Sequence, residues 1–514
     1  MSRDVKPITL NFKGGLNTFS DMSAISDNQV VEALNFDMDL DGSLKSRPPL
    51  IESAPLSRTG TGAEARFLLW YYEDGVDYAI FSEGARTVAW NKATKVFTQI
   101  TSAFAAAAAV QWQNKLWIIP PWVPGTTLKG GSWTALGGYE NVANMPAGST
   151  MVAYKERLFI ARGPGSDLPS RLFYSNVFGS SSLWNASPSF QEIGSGDGQA
   201  IVYVTTYYSN LLVFRTESIW TWAYSASPES GQISVLVPGV GLSDRDAVAS
   251  YENTLYFMYD SKAYAFLQNR AEHINPHVPF KDLPVPAASF HAASVSVFNK
   301  RILFLYRGVT YVFSTLTSSW TRWVSQQWGP IGRFFQSAFD DVEVTYALTS
   351  STLNTSNRIL KADERVSTSA EAGINCVLQT KNYSFEVPSN YKILHRWGLD
   401  AIFRDGVKAW AVPINLTSIV TWGQLLNYAW EQVKQGTWNL PVPSDPVAVE
   451  SDVSAGVYGG SGRKYVKFRK RLRFRQIYFR IEMTTDGSLT SAPLQIFAVL
   501  VFVDTRQGVV KTVS

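Results

Sequence analysis

Apolar positions in the first two-thirds of the chain come in short runs of about five or six. Examples are FLLWYY (67–72), KLWIIP (115–120), RLFIA (157–161), LLVFR (211–215) and ILFLY (302–306). Gly, Ser, Asn and Asp clusters separate them. Short apolar runs bounded by turn formers predict β-strands. Long amphipathic helical patterns are absent between residues 59 and 370.

A strand-turn-strand signature recurs among these runs. It reads aromatic, any residue, Asn or Glu, usually Lys or Arg, Leu or Ile, then a large apolar residue. Clear copies are Trp112-Gln-Asn-Lys-Leu-Trp117, Tyr154-Lys-Glu-Arg-Leu-Phe159, Tyr208-Ser-Asn-Leu-Leu-Val213, Tyr251-Glu-Asn-Thr-Leu-Tyr256 and Phe298-Asn-Lys-Arg-Ile-Leu303. Weaker copies begin at Tyr72 and Phe339. A period of about forty to fifty residues marks an array of small β units that cannot bury their faces alone. A second repeat supports the first. Ala89–Ile100 aligns without gaps on Val312–Trp323, placing Trp90 and Phe97 on Phe313 and Trp320. The Asn-, Ser-, Thr- and Lys-rich interval favours a turn, so this segment reads as the outer hairpin of a four-stranded blade. The expected fold is all-β: a six- or seven-bladed β-propeller at 59–370, an N-terminal arm at 1–58, and a C-terminal β-sandwich-like domain at 371–514.

Within the arm, Ser26-Asp-Asn-Gln29 resembles a capping box and predicts a short helix through Glu32 and Leu34. Asp41-Gly42, followed by Leu44 and Pro48-Pro49, predicts a tight hairpin. The arm holds too little apolar surface to stand alone and is expected to pack on a neighbouring element or subunit. In the tail, KAWAVPI (408–414) and LQIFAVLVFV (494–503) read as strands, and Thr417–Gly436 as the place for a short helix.

Composition adds little to this and charge adds one feature. Aromatics make up 13% of the chain, with 17 Trp, which suits pleated, half-buried surfaces. The single cysteine, Cys376, excludes an intramolecular disulfide and fits assembly in a reducing cytoplasm. The apolar run Ala103–Val110 is too short to cross a bilayer, and the polar, mixed Met1–Lys13 does not read as a signal peptide. The net charge is +4. Nine Lys or Arg residues and no acid lie between Arg463 and Arg480, in RKYVKFRKRLRFRQIYFR. Read as one strand, this segment places Lys467, Arg469, Arg471, Arg473 and Arg475 in a one-sided row. Such a row lines a lumen for nucleic acid, docks an acidic partner, or is a solvated face that blunts a sheet edge.

Candidate chemistry is sparse. Asp37-x-Asp39-x-Asp41-Gly42 matches the first half of a calcium loop, but its twelfth position is Pro48 rather than Glu; a hairpin explains the same residues. His273 and His277 flank Pro276, which breaks the helix a shared metal would need. Gly194-Ser-Gly-Asp-Gly198 lacks the Lys-Ser/Thr of a phosphate loop and reads as a tight turn. The carboxylate pairs Asp244 with Asp246 and Asp340 with Asp341 are neighbours in sequence only. No catalytic residue, cofactor or metal ligand is assigned, and an enzyme is not expected.

The N-terminal string resembles the opening of tail proteins of tailed bacteriophages. The matching positions are Gly14, Gly15, Leu16, Asn17, Ile25, Asp27, Asn28, Asn35, Asp37, Gly42, Leu44 and Arg47. Residues 170–222 look like the propeller of phage tail nozzle or tail-tip proteins, and 474–511 are similar to their closing β domain. The resemblance implies a virion structural protein of the distal tail, assembled in the host cytoplasm as a ring of identical copies, by family a hexamer. It implies partners in a tail tubular or adaptor protein and in fibre or tip proteins, and transient contact with phage DNA during ejection. It leaves open a short-tailed or a long-tailed phage. The rival expectations are a tail-tip receptor- or carbohydrate-binding adhesin and a propeller glycosidase.

Overall fold

The computed structural model describes residues 7–18, 21–55, 65–194, 196–225, 227–280, 293–325, 327–328, 331–336, 344–349, 358–363, 371, 374–385, 392–402, 407–414, 451–453, 464–468, 472–474, 476–484 and 495–504. The chain divides into two compact units. One comprises Leu50–Tyr311 and Trp328–Asp363; the other comprises Met1–Pro49, Val312–Gln327 and Glu364–Ser514.

The first unit is a β-propeller. Six four-stranded antiparallel sheets stand free in it. Five are contiguous in sequence, running from Ala65–Glu73 through Arg270–His273. The last sheet orders Ile331–Phe335, Val344–Thr349, Arg358–Asp363 and then Leu50–Pro55. A seventh four-strand run, Ala293–Phe298, Arg301–Tyr306, Val309–Ser314 and Ser319–Trp323, heads a larger sheet. The chain passes from one unit to the other inside Val309–Ser314. We number the blades 1 to 7 along the chain. First strands of successive blades lie against one another from blade 1 to blade 4 and from blade 5 to blade 7, Tyr207 of blade 4 bonds Asn253 of blade 5, and Ile331–Phe335 returns to Ala65–Glu73, which closes the ring. Phe67, Phe81 and Trp90 of blade 1 share one buried cluster with Phe335, Tyr346 and Ile359 of blade 7. Leu50–Pro55 thus belongs to the last blade, although it lies within the segment read as an arm. Its pairing with Arg358–Asp363 spans some three hundred residues, which no local period reports.

The recurring signature is a turn with a stereochemical requirement. In blade 2, Gln113 and Asn114 both have positive φ, at 52° and 57°. Lys155 and Glu156, Glu252 and Asn253, and Asn299 and Lys300 repeat this. Two left-handed residues in a two-residue loop match the right-handed twist of the strands they join, and Asn tolerates that region best among residues with side chains. Blade 4 departs from the expected register. Tyr207 pairs with Asn210, so Tyr208 lies inside the turn at φ 51° rather than leading it. Tyr207 takes the leading place. The copy at Phe339 lies outside the described residues.

The leading aromatics also join blades. Tyr207 Oη donates to Asn253 O at 3.2 Å, and Tyr154 Oη donates to Ser209 O. Tyr71 Oη of blade 1 likewise reaches Asn114 O at 3.1 Å. Each reaches a turn carbonyl of the next blade. Tyr207→Phe is expected to lower stability by about 1 kcal/mol, the net worth of one such bond. The urea midpoint measures it, and an unchanged midpoint would dismiss the bond as a contributor.

The second repeat is an outer hairpin, as expected. Trp90 pairs with Phe97 across the strands, and Phe313 and Trp320 rings lie 5.0 Å apart. The aligned residues Lys95 and Ser318 both adopt positive φ, at 62° and 53°.

The second unit is a β-sandwich. One face comes from a seven-stranded sheet in which Lys392–Ile402 pairs with Gln495–Asp504. The other includes Gln29–Leu34, Asn375–Thr380, Gln476–Thr484 and Val407–Ile414. Phe12, Phe36, Leu44, Trp397, Phe479 and Val499 meet in the core between them. The N-terminal segment is therefore built into this unit. Pro7–Leu10 pairs with Gln495–Asp504, and Phe36–Met38 forms the expected hairpin with Leu44–Ser46.

The helix expected through Glu32 and Leu34 is instead the strand Gln29–Leu34. A β-bulge between Val30 and Glu32 shifts the pleat by one residue. Val30 and Ala33 both become buried, a spacing of three that mimics a helix. The capping-box contact does form, with Gln29 Oε1 accepting from Ser26 N at 3.2 Å, but it closes a turn. The expected helix within Thr417–Gly436 lies outside the described residues.

Candidate functional site: a cationic hub at the entry of the first strands

Each blade's first strand begins at the same end of the propeller ring, and polar groups converge there. Arg66 stands at the start of blade 1 and grips Asp246, at the entry to blade 5, with two bonds. Nε reaches Oδ2 at 2.6 Å and Nη2 reaches Oδ1 at 2.7 Å. Arg333 of blade 7 adds Nη1 to the same Oδ1 at 2.6 Å. Both arginines and Asp246 are largely shielded from solvent. Backbone carbonyls complete the ring. Ala107 O, at the entry to blade 2, accepts from Arg66 Nη1 at 3.2 Å and from Arg245 Nη1. Ser149 O, at the entry to blade 3, accepts from Arg245 Nη1 at 2.9 Å, and Phe67 O from Arg333 Nη1 at 3.0 Å. Val295 N of blade 6 donates to Asp246 O at 2.9 Å. In blade 4, Tyr203 feels both Arg333 and Asp246; burial, the larger influence, pushes its phenol up. The hub thus joins Arg66 and Arg333 on Asp246 and Arg245 on the carbonyls of Ala107 and Ser149.

Sequence reasoning missed this hub. Arg66 and Arg333 each sit in an apolar strand, and only the fold brings them to Asp246. Of the noted pair, Asp244 Oδ1 accepts from Asp246 N at 3.1 Å. Asp340 and Asp341 lie outside the described residues.

The glycine-rich loop is a second arginine site, within blade 4. Arg215 is fully buried. Its Nη1 reaches Asp197 Oδ2 at 2.7 Å, and its Nη2 reaches Asp197 Oδ1, Gly194 O and Gln199 O. Gly194 has φ 62°, and a Cβ there would meet Arg215 Nη1 at 2.2 Å, so the position requires glycine. The hydrogen bonds from Arg215 hold the Asp197 carboxyl below its usual range. A folded-state value below the unfolded one stabilises fully above the unfolded value near 3.9 and is lost as pH falls through the folded value. Asp197→Asn is therefore expected to flatten the acid limb of the stability curve. Parallel limbs in the two proteins would refute this.

The positions that carry the N-terminal resemblance converge in the sandwich unit. Arg47 is buried and uses its whole donor set. Nη1 and Nη2 bind Glu371 at 2.8 and 2.7 Å, and Nε binds Asn35 Oδ1 at 3.0 Å. Pro48 O and Val324 O take the remaining contacts. Burial alone would lower the Arg47 pKa, but Glu371 beside it outweighs burial and holds it above normal. Asn35, at φ 58°, also donates Nδ2 to Asn375 O at 2.7 Å and accepts from Val324 N at 2.8 Å. Asp37 accepts from Trp323 Nε1 at 2.9 Å. Asp39 and Asp41 hold the hairpin turn, through Asp39 N to Ser43 O and Ser43 N to Asp41 Oδ1. Asp37 and Asp41 thus face different partners. Lys381 Nζ binds Ile25 O and Asp27 Oδ1, both at 2.7 Å. Burial pushes the Cys376 thiol up to about 12.

Of the expected row of five cations, Lys467 and Arg473 lie in described strands. Lys464–Phe468 and Leu472–Phe474 pair with Lys392–Ile402 in one sheet, while Gln476–Thr484 lies in the other. Lys467 is at register with Gly398 and Arg473 with Ile393. Arg469, Arg471 and Arg475 lie outside the described residues. The chain changes sheet between Phe474 and Gln476, which a reading by alternation alone cannot show. His273 Nε2 contacts Asn275 Oδ1 at 2.7 Å, within its own blade.

No family model matches the chain, and no curated protein matches it. Among solved structures it is similar to the extracellular domain of the putative hybrid two component system BT4673 from B. thetaiotaomicron. That match has a TM-score of 0.43 and 10% identity, over 72% of this chain and 45% of that one. It is also similar to the Neurospora crassa Pan2 WD40 domain, with a TM-score of 0.40 and 9% identity, over 63% of this chain and 97% of that one. The chain thus spans less than half of the first structure's length and nearly all of the second's.

Proposed function

We propose that the chain is a structural, non-enzymatic protein of a bacteriophage tail, a component of a nozzle or tail-tip ring in the path of DNA ejection. The observation that carries this reading is the role of the shared N-terminal positions. Asn35, Asp37, Gly42, Leu44 and Arg47 hold a hairpin, fill a core or saturate a buried ion pair. A pattern used to lock a fold suits a scaffold, whose work is to keep its shape under load. The ring of packed blades suits the same role, each buried apolar side chain contributing on the order of 1.5–3 kcal/mol. In this reading the chain assembles as a homo-oligomeric ring, with a tubular or adaptor protein on one side and fibre or tip proteins on the other. The cationic segment 463–480 then meets DNA or an acidic partner. Antibody labelling of intact particles in the electron microscope tests the proposal; label at the distal tail supports it, and absence of label from particles refutes it.

The adhesin reading keeps one observation of its own. Tyr208 is exposed at a hairpin tip, and Trp122 lies on a loop beside the Arg162 guanidinium. Glycan-array binding that Trp122→Ala abolishes would favour it.

A further inference from the structure

The end of the ring opposite the hub carries apolar tips. There each first strand turns back into the second, and each third strand into the fourth. Among the described residues of the propeller unit, eleven large apolar side chains are exposed. Seven stand on or beside these turns: Tyr72 and Val96 in blade 1, Leu136 in blade 2, Val177 and Phe178 in blade 3, Tyr208 in blade 4 and Leu267 in blade 5. The other four are Val123, Leu128, Phe190 and Val235. Single exposed apolar residues are ordinary, but their concentration at one end marks an interaction surface.

Contacts between blades hold these tips in one rim. The Gln111 side chain bonds the backbone N and O of Tyr72 at 3.1 and 2.9 Å. Ala135 N donates to Glu73 Oε2 at 2.6 Å, which sets the Leu136 turn of blade 2 beside Tyr72 of blade 1. The Phe178 ring of blade 3 lies 5.1 Å from that of Trp112 of blade 2. Tyr154 Oη of blade 3 reaches Ser209 O, next to Tyr208. Tyr207 bonds Asn253 O of blade 5, and its ring lies 4.6 Å from Tyr208 and 5.3 Å from Phe266, the neighbour of Leu267. The rim is uncharged where it projects furthest. Leu136 is 90% exposed and Tyr208 69%. Their turns, 135–137 and 208–209, hold no charged residue, and neither does the loop 175–188 that carries Val177 and Phe178.

We propose that this end of the ring seats on a zwitterionic lipid surface, with Leu136, Phe178 and Tyr208 entering the boundary between headgroups and acyl chains. Side chains as exposed as Leu136 and Tyr208 stand clear of their neighbours on separate turns, whereas the anchors of a protein interface sit in packed pockets. Separate projecting tips suit a soft, flat medium that closes around each. Tyr72 and Tyr208 pair an apolar body with a polar tip, the character that favours a membrane boundary. Uncharged foremost turns give no preference for an anionic headgroup. Several tips on one rim act together, so weak single insertions combine into useful affinity.

The test floats the full chain with phosphatidylcholine vesicles and, separately, with vesicles containing phosphatidylglycerol, each at low and high salt. The expected result is binding to phosphatidylcholine that survives high salt. Leu136→Asp and Tyr208→Asp should each weaken it about tenfold, because a charge replaces an inserting side chain. The two sites stand on different blades and are exposed, and aspartate accepts the positive φ of Tyr208, 51°. The urea midpoint should therefore hold in both. Val123→Asp, an exposed apolar site on a loop at the hub end, is the control and should leave binding unchanged. Failure to bind phosphatidylcholine would overturn the proposal, as would binding confined to phosphatidylglycerol and lost in salt, or equal weakening by Val123→Asp. Chain that ignores both vesicles but self-associates in sedimentation, and is dissociated by Leu136→Asp, would assign this end to a second copy instead.

Discussion

Arg47→Ala is expected to destabilise the sandwich unit by about 3–5 kcal/mol, among the largest single-site effects in the chain. Glu371 would then keep a buried charge without the Arg47 cation, while Ser325 Oγ still donates to it at 2.7 Å. Asn35 would lose one donor to its side chain, in a left-handed conformation held by five other contacts. Hydrogen exchange should localise the damage, with protection falling at Asn35, Val324 and Cys376. A double replacement, Arg47→Met with Glu371→Leu, should recover most of the loss, because removing both charges leaves no orphan. A loss below 1 kcal/mol for Arg47→Ala, or no recovery in the double variant, would contradict this account.

Asp246→Ala is expected to cost the propeller a similar 3–5 kcal/mol. Arg66 and Arg333, from separate blades, would then lose the carboxylate they share. The deficit should shrink as salt is raised, since screening weakens the repulsion. Asp246→Asn keeps the shape and some acceptors and should fall between the two. The urea midpoint, read by tryptophan fluorescence at several salt concentrations, measures both. Salt-independent destabilisation would mean that packing, and not charge, is what Asp246 supplies.

Much of the propeller was legible because its repeat is local. Gln113-Asn114 and its equivalents record a turn geometry that few residue types accept, and the aromatic before them marks the end of a first strand. The Trp90 and Phe97 spacing records a cross-strand pair. What escaped were the features that depend on pairing distant in sequence. Leu50–Pro55 offers no sign that it closes the last blade. Gln29–Leu34 hid its strand because a bulge turned period two into a spacing of three. The basic segment looked like one strand because alternation persists across the point where the chain changes sheet. The hub escaped for the same reason, since Arg66, Arg245 and Arg333 are separated by whole blades and share no motif.

The scaffold reading rests on the shared N-terminal positions being fold-locking parts of a virion component. Quantitative mass spectrometry of purified particles, from a host producing this chain, tests that most directly. The account predicts the chain at a fixed, multiple copy number per particle, co-purifying with the tail after the head is removed. Particles that are complete and infectious but contain none of the chain would contradict it.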